Sequence, residues 1–181
     1  LNKEPTMNAV RYTAPARLLH WLMAALLIGL LALGFYMSDL PLSPEKLQLY
    51  SWHKWAGVTA FILLAIRLLW RATHRPPALP ASMSATAQRM AHLGHLALYG
   101  LMIAIPLSGW LMSSAKGFQT VYFGVLPIPD LLAKNPELGE LLATLHGGLN
   151  LLLVLTVLGH AAAALKHHFV DKDDVLRRML P

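Results

Sequence analysis

Nine histidines fall in a chain of 181 residues that is 56% apolar. Imidazole is the common side-chain ligand for transition metals and the one that moves protons near neutral pH. Inside an apolar run it is costly to keep, and such residues mark function. Four of the nine sit in such runs, and their depth sorts them. His20 lies two residues inside the first run, and His53 lies near the start of the second. The fourth run carries His146, five residues from its beginning, and His160, five from its end. If successive runs cross a membrane in alternating directions, His53 matches His146 in depth and His20 matches His160. The fourteen residues from His146 to His160 leave the two imidazoles about 40° apart around a helix axis and about 21 Å apart along it. One helix face then offers one ligand near each membrane surface, which suits two stacked cofactors and no single metal. Haem iron takes axial imidazoles from opposite sides, and facing helices of a bundle can supply them. Small residues leave room for a macrocycle: Gly147 and Gly148 beside His146, Ala56 and Gly57 after His53, Gly159 and Ala161 to Ala164 around His160.

The elements that must hold these residues are membrane spans. Only 13% of residues are charged, about half of what a soluble domain carries. A bilayer core about 30 Å thick needs roughly 20 apolar residues, and four runs meet this at about 18–37, 51–70, 90–115 and 141–165. Lys54 and Arg67 lie near the ends of the second, where their side chains can snorkel. Pro106 predicts a kink in the third. Trp21, Trp52, Trp55, Trp70 and Trp110 fall toward span ends, as an aromatic belt would place them. The first run is read as a retained helix rather than a signal peptide, since it is long and no clear small-x-small site follows. Leu1–Thr6, before Met7, receive no role.

Basic residues orient the bundle. The two tails and the loop between spans two and three hold eleven Lys and Arg, from Lys3 to Arg178, whereas the other side holds four: Lys46, Lys54, Lys116 and Lys134. With four acids on the first side, Glu4 among them, and five on the second, the sides carry +7 and −1. The expectation is an all-α, antiparallel four-helix transmembrane bundle, one domain over 1–181, with both termini cytoplasmic. The net charge of +6 then belongs to topology and anionic lipid headgroups, and nucleic acid is not implied. Within the long connection 117–139, Val121 to Ile128 is apolar enough to lie on the outer surface.

The segments around Leu-Leu-His20-Trp-Leu, Trp52-His53-Lys-Trp-Ala-Gly57, His92-Leu-Gly-His95, Leu-His146-Gly and Gly-His160-Ala-Ala-Ala-Ala-Leu-Lys-His167-His168-Phe resemble the bacterial cytochrome b561 family, from about Arg11 to Met179. The resemblance implies a small inner-membrane protein with two b haems, ligated by His20, His53, His146 and His160. It also implies quinone-linked electron transfer, and in some members superoxide oxidase activity, in which periplasmic superoxide reduces ubiquinone. The alternative is a haem-bearing anchor subunit that passes electrons between a dehydrogenase or hydrogenase partner and quinone.

Other polar residues carry two readings each. His167 is seven residues beyond His160, within about 20° of its face and roughly 10 Å further toward the cytoplasm. It can serve a quinone as proton donor or hydrogen-bond partner, or it can simply end a helix, where His and Lys suit the dipole. His95 rivals the inner ligands and otherwise suits a propionate or quinone contact. His168 points elsewhere, toward solvent, and His74 in its Pro-rich loop is expected to be inert. Arg67 and Arg71 inside, and Lys54 and Lys116 outside, are candidates for haem propionates, although topology also explains the two arginines. Lys116 at the mouth of span three can attract superoxide locally, while a face of −1 gives no long-range steering.

Much other chemistry is excluded. The chain has no cysteine, so disulfides, thiolate iron–sulfur clusters, Cys-ligated zinc and covalent c-type haem are ruled out. It has no His-Glu-x-x-His, Gly-x-Ser-x-Gly, Walker or Rossmann fingerprint. No acidic residue falls at mid-membrane, which argues against an ion-coupled transporter.

Overall fold

The computed structural model describes residues 11–180. Leu1–Thr6, including the charges of Lys3 and Glu4, lie outside the described residues. Four helices dominate: α1 (Ala14–Asp39), α2 (Pro44–Thr73), α3 (Ala85–Ala115) and α4 (Pro136–Lys166). Even α1, the shortest at 26 residues, is about 39 Å long and exceeds a bilayer core. All four are long and apolar enough to cross a membrane. Their outward faces stay apolar, with Ile28, Ile62, Leu96 and Leu155 exposed, a surface that hydrocarbon accepts and water does not. The buried apolar side chains are few and include Met23, Leu64, Leu101 and Leu153.

Each helix outruns its apolar stretch at one end or both because capping, not hydropathy, sets where a helix starts. Ser43 Oγ accepts from the Lys46 amide at 3.2 Å, Ser84 Oγ from Ala87 at 3.2 Å, and Asn135 Oδ1 from Leu138 at 3.0 Å. Prolines occupy the first turn of α1, α2 and α4, where a missing N–H costs nothing. The first connection therefore shrinks to the few residues before Pro44. Helix α3 runs unbroken through Pro106.

Helix α1 packs along α2 and α3 along α4, forming two hairpins that meet mainly through α2 and α3. At one end the tails clasp each other. The Tyr12 amide donates to Arg178 O at 3.2 Å, Arg17 Nη1 to Leu180 O at 2.7 Å, and Trp21 Nε1 to Met179 O at 2.9 Å. Both ends of the described chain thus lie at one end of the bundle, called here the terminal end. At the opposite, loop end the α3–α4 connection contains a two-stranded antiparallel hairpin, Val121–Tyr122 against Leu126–Pro127. Phe123 and Gly124, with φ of 50° and 73°, lead a three-residue turn to Val125, whose amide donates to Tyr122 O at 3.1 Å. Val121, Phe123, Val125 and Leu126 stay exposed on it. So short a ladder leaves no periodicity in the sequence.

The tryptophans at the span ends staple the bundle to its loops. Trp55 Nε1 donates to Val121 O at 2.7 Å, Trp110 Nε1 to Pro129 O at 3.0 Å, and Trp70 Nε1 to Thr13 Oγ1 at 2.9 Å. Each indole keeps its apolar body in the interface and satisfies its one donor. Helices α3 and α4 meet closely at Gly139, where a Cβ would stand 2.7 Å from Lys116 Cγ.

Candidate functional site

Imidazoles gather at two levels. At the terminal end, His20 of α1 and His160 of α4 face each other with ring centres 6.2 Å apart and planes 61° apart. His95 of α3 also stands beside His160, at 5.6 Å. Arg67 of α2 completes the ring. Its Nη2 lies 3.3 Å from His20 Nδ1, and its Nε donates to the Tyr99 hydroxyl at 3.2 Å. Its Nη1 is buried with no partner. Arg71, one turn further along α2, holds its guanidinium 5.8 Å from the centre of the Tyr99 ring. Because α1 and α4 have no extended packing of their own, the His20–His160 meeting spans the gap between the hairpins.

At the loop-end level, His146 of α4 has a defined tautomer. Its Nδ1 lies 2.9 Å from Ser108 Oγ and 3.1 Å from Ile105 O. The Ser108 hydroxyl is itself donated to Ile105 O at 2.8 Å, so Ser108 Oγ can only accept from the ring. Nδ1 therefore carries the proton, and Nε2 keeps its lone pair. His53 of α2 lies within electrostatic reach of His146, and its Nδ1 is buried without a partner. Two glycines make space for these rings. A Cβ at Gly34 of α1 would stand 3.2 Å from His53 Cε1, and one at Gly109 of α3 would stand 3.1 Å from His146 Cε1. Between the two levels, an apolar cavity of about 470 Å³ runs along α1 and α2, walled by Leu26, Gly29, Leu33, Ala56 and Leu63 among others.

These residues fit haem. A first-row metal sits about 2.0 Å from an imidazole nitrogen, so two rings on one iron hold their centres about 6 Å apart. The His20–His160 spacing meets this, and the His95–His160 spacing comes close. The His146 tautomer is the ligating one, with Nδ1–H held by the protein and the Nε2 lone pair left open.

The small residues expected beside the histidines behave differently from Gly34 and Gly109. A Cβ at Gly57, Gly147, Gly148 or Gly159 would meet nothing within 4 Å. Gly34 and Gly109 escape a reading along one helix because each serves an imidazole on another. Ser108, the residue before Gly109, gives the same lesson, since its hydroxyl serves His146 of α4.

The two candidate lysines of the loop end, Lys54 and Lys116, are engaged. Lys54 Nζ donates to Phe118 O at 2.8 Å, and Lys116 Nζ pairs with Glu140 at 2.9 Å. His167 begins a π-helical turn, His167–Asp171, that ends α4. Its Nδ1 lies 2.6 Å from Asp173 Oδ2 and 3.2 Å from Asp171 Oδ2, while Lys166 grips both oxygens of Asp171. His168 departs from its expected solvated position: it is half-buried, and its Nδ1 is buried without a partner. The π turn, wider than an α turn, moves side chains off α-helical azimuths. His74, expected to be inert, stacks on Trp70 with ring centres 3.8 Å apart.

A membrane-crossing four-helix bundle that gathers imidazoles at two depths is the architecture of a membrane-bound cytochrome b. Residues 11–181 match the family described as prokaryotic cytochrome b561. The chain is 38% identical to "Cytochrome b561 homolog 2" of Escherichia coli K12 over 97% of its own length and 94% of that protein. It is 31% identical to "Probable superoxide oxidase CybB" of Yersinia pestis over 71% of this chain and 73% of that one. It is 28% identical to "Cytochrome b561 homolog 1" of E. coli K12 over the same shares. The chain belongs to the prokaryotic cytochrome b561 family: it is a multi-pass protein of the bacterial inner membrane, binds haem b and transfers electrons.

Proposed function

We propose that this protein holds two b haems, one between His53 and His146 and one between His20 and His160, and conducts electrons from periplasmic superoxide at the loop end to ubiquinone at the terminal end. The terminal end then faces the cytoplasm, as the basic residues favour. The observation that carries the reading is the gathering of imidazoles at two levels, with His146 held in its ligating tautomer. Bound haem supplies one-electron redox chemistry, and the chain supplies ligation, orientation and polarity. In the balance, two superoxide ions release two electrons as two O₂, and ubiquinone takes those electrons with two protons to give ubiquinol.

The chain's own groups divide this work. Ser108 and Ile105 accept the His146 Nδ1 proton and fix the ring. A guanidinium only donates, so the Arg67 contact with His20 Nδ1 puts the ring proton on Nε2. Ligation through Nε2 then requires Arg67 to turn away, and a haem propionate is the carboxylate it would turn to, with Arg71 as a second partner. Asp173 holds His167 by Nδ1 and leaves Nε2 to pass a proton to quinone, a role His95 can share. At the loop end, Lys54 and Lys116 offer positive charge to superoxide. The Lys116–Glu140 pair weakens that offer and favours a second reading, an anchor subunit that takes electrons from a dehydrogenase or hydrogenase partner.

Rapid mixing with superoxide in the presence of ubiquinone tests the proposal. Haem reduction is expected first, followed by one ubiquinol for every two superoxide ions. Haem that stays oxidised beside unchanged quinone would sink the superoxide reading and leave the anchor reading. A finer test addresses His146. Removing the Ser108 acceptor makes the ring a weaker donor to ferric iron, so Ser108→Ala is expected to raise the midpoint potential of one haem by roughly 20–60 mV, the equivalent of a typical hydrogen bond. Haem content should stay the same, and a redox titration measures the shift.

A further inference from the structure

A second cavity, of about 260 Å³, lies at the terminal end where α2 gives way to the Pro76–Pro77 segment. Arg11, Arg67, Arg71 and Arg75 line it together with the Tyr12 and Tyr99 rings. No Asp or Glu is among its lining residues, and among the described residues none of the four arginines has a carboxylate within 4.0 Å. Four guanidinium groups on one small cavity repel one another. Arg67 and Arg71 also face the proposed haem, so the charge that remains for a further anion is that of Arg11 and Arg75.

We propose that this cavity binds a phosphate group, and that the phosphate is the headgroup of an anionic phospholipid in the leaflet at the terminal end. Guanidinium groups match phosphate oxygens in charge and in fork geometry, and tyrosine hydroxyls add donors. Basic pockets between transmembrane helices at this level suit anionic headgroups. Two features select lipid over free phosphate. Trp70, one of the cavity's own walls, marks the membrane interface. On the neighbouring face of α2, Leu69, Ile66 and Ile62 form an exposed apolar stripe, where acyl chains can lie. The inference does not rest on superoxide or quinone chemistry. Arg11 and Arg75 stand outside the proposed haem sites, so they separate the two proposals.

The test uses the full-length haem-loaded protein, delipidated in detergent and offered phosphatidylglycerol, phosphatidylcholine or inorganic phosphate, with bound lipid counted by native mass spectrometry. Wild type is expected to keep about one phosphatidylglycerol per chain in preference to phosphatidylcholine. The Arg11→Gln/Arg75→Gln variant is expected to lose at least about ten-fold in that retention while its haem content is unchanged. Arg89→Gln, an exposed arginine of α3 outside the cavity, should behave as wild type. Equal retention of the two lipids, an equal loss in Arg89→Gln, or full retention in the double variant would overturn the proposal. Displacement of the lipid by inorganic phosphate at equal concentration would overturn the lipid source and assign the cavity to free phosphate. If the double variant does not fold, the wild-type competition among the three probes decides the matter alone.

Discussion

Replacing His160 by alanine is expected to leave one b haem per chain where wild type holds two. The bulk of the bundle should persist, since the α1–α2 and α3–α4 hairpins pack without the His20–His160 meeting between them. The reduced-minus-oxidised b-type band should fall to about half per protein, and electron delivery to quinone should fail, because the lost haem is the one at the terminal end. His20→Ala should match this result, whereas His95→Ala should keep both haems. His95 is the informative comparison, since its ring stands 5.6 Å from His160 against 6.2 Å for His20. Haem loss in His95→Ala with retention in His20→Ala would reassign the axial partner. Two full haems in His160→Ala would remove the ligand assignment at that end altogether.

Gly109→Val is expected to cost the other haem. A first carbon there already falls 3.1 Å from His146 Cε1, and valine adds two branching methyl groups. The imidazole must then swing away, which breaks its bond to Ser108 and moves its lone pair. Overpacking of this kind costs about 1–3 kcal/mol in a close-packed site, and the loss of ligand direction matters more than the strain. Haem quantification should again give one per chain, now with the terminal-end haem remaining. Gly100→Val is the control. It sits in the same helix with the same change in propensity, yet a Cβ at Gly100 would meet nothing within 4 Å. Both haems should survive there, and equal loss in the two variants would attribute the effect to helix α3 rather than to His146.

Depth along a span follows from counting, so His20 with His160, and His53 with His146, are legible as neighbours in level. Spacing along one helix also shows that His146 and His160 share a face. Azimuth between helices does not follow from counting. No periodicity tells that Gly34 and Gly109 lie over imidazoles of other spans, that Ser108 meets a ring 38 positions away, or that His20 and His95 both lie within about 6 Å of His160. Hydropathy understates helix length because it marks only the apolar stretch, whereas Ser43, Ser84 and Asn135 mark where α2, α3 and α4 begin. Lys54 and Lys116 read as free charge from sequence, while the Phe118 carbonyl and Glu140 engage them in the fold.

The tail clasp of Tyr12, Arg17 and Trp21 onto Arg178, Met179 and Leu180 has a consequence for biosynthesis. Its halves are the first and the last parts of the bundle to leave the ribosome. His20 and His160 are likewise 140 positions apart, so at about 5–20 residues per second the first waits roughly ten seconds for the second. Until then, α1, α2 and α3 are in the membrane with one side of the bundle unclosed. Any cofactor held between the first and last spans must enter as a late step of assembly, and a ribosome stalled before α4 leaves a chain that cannot retain it.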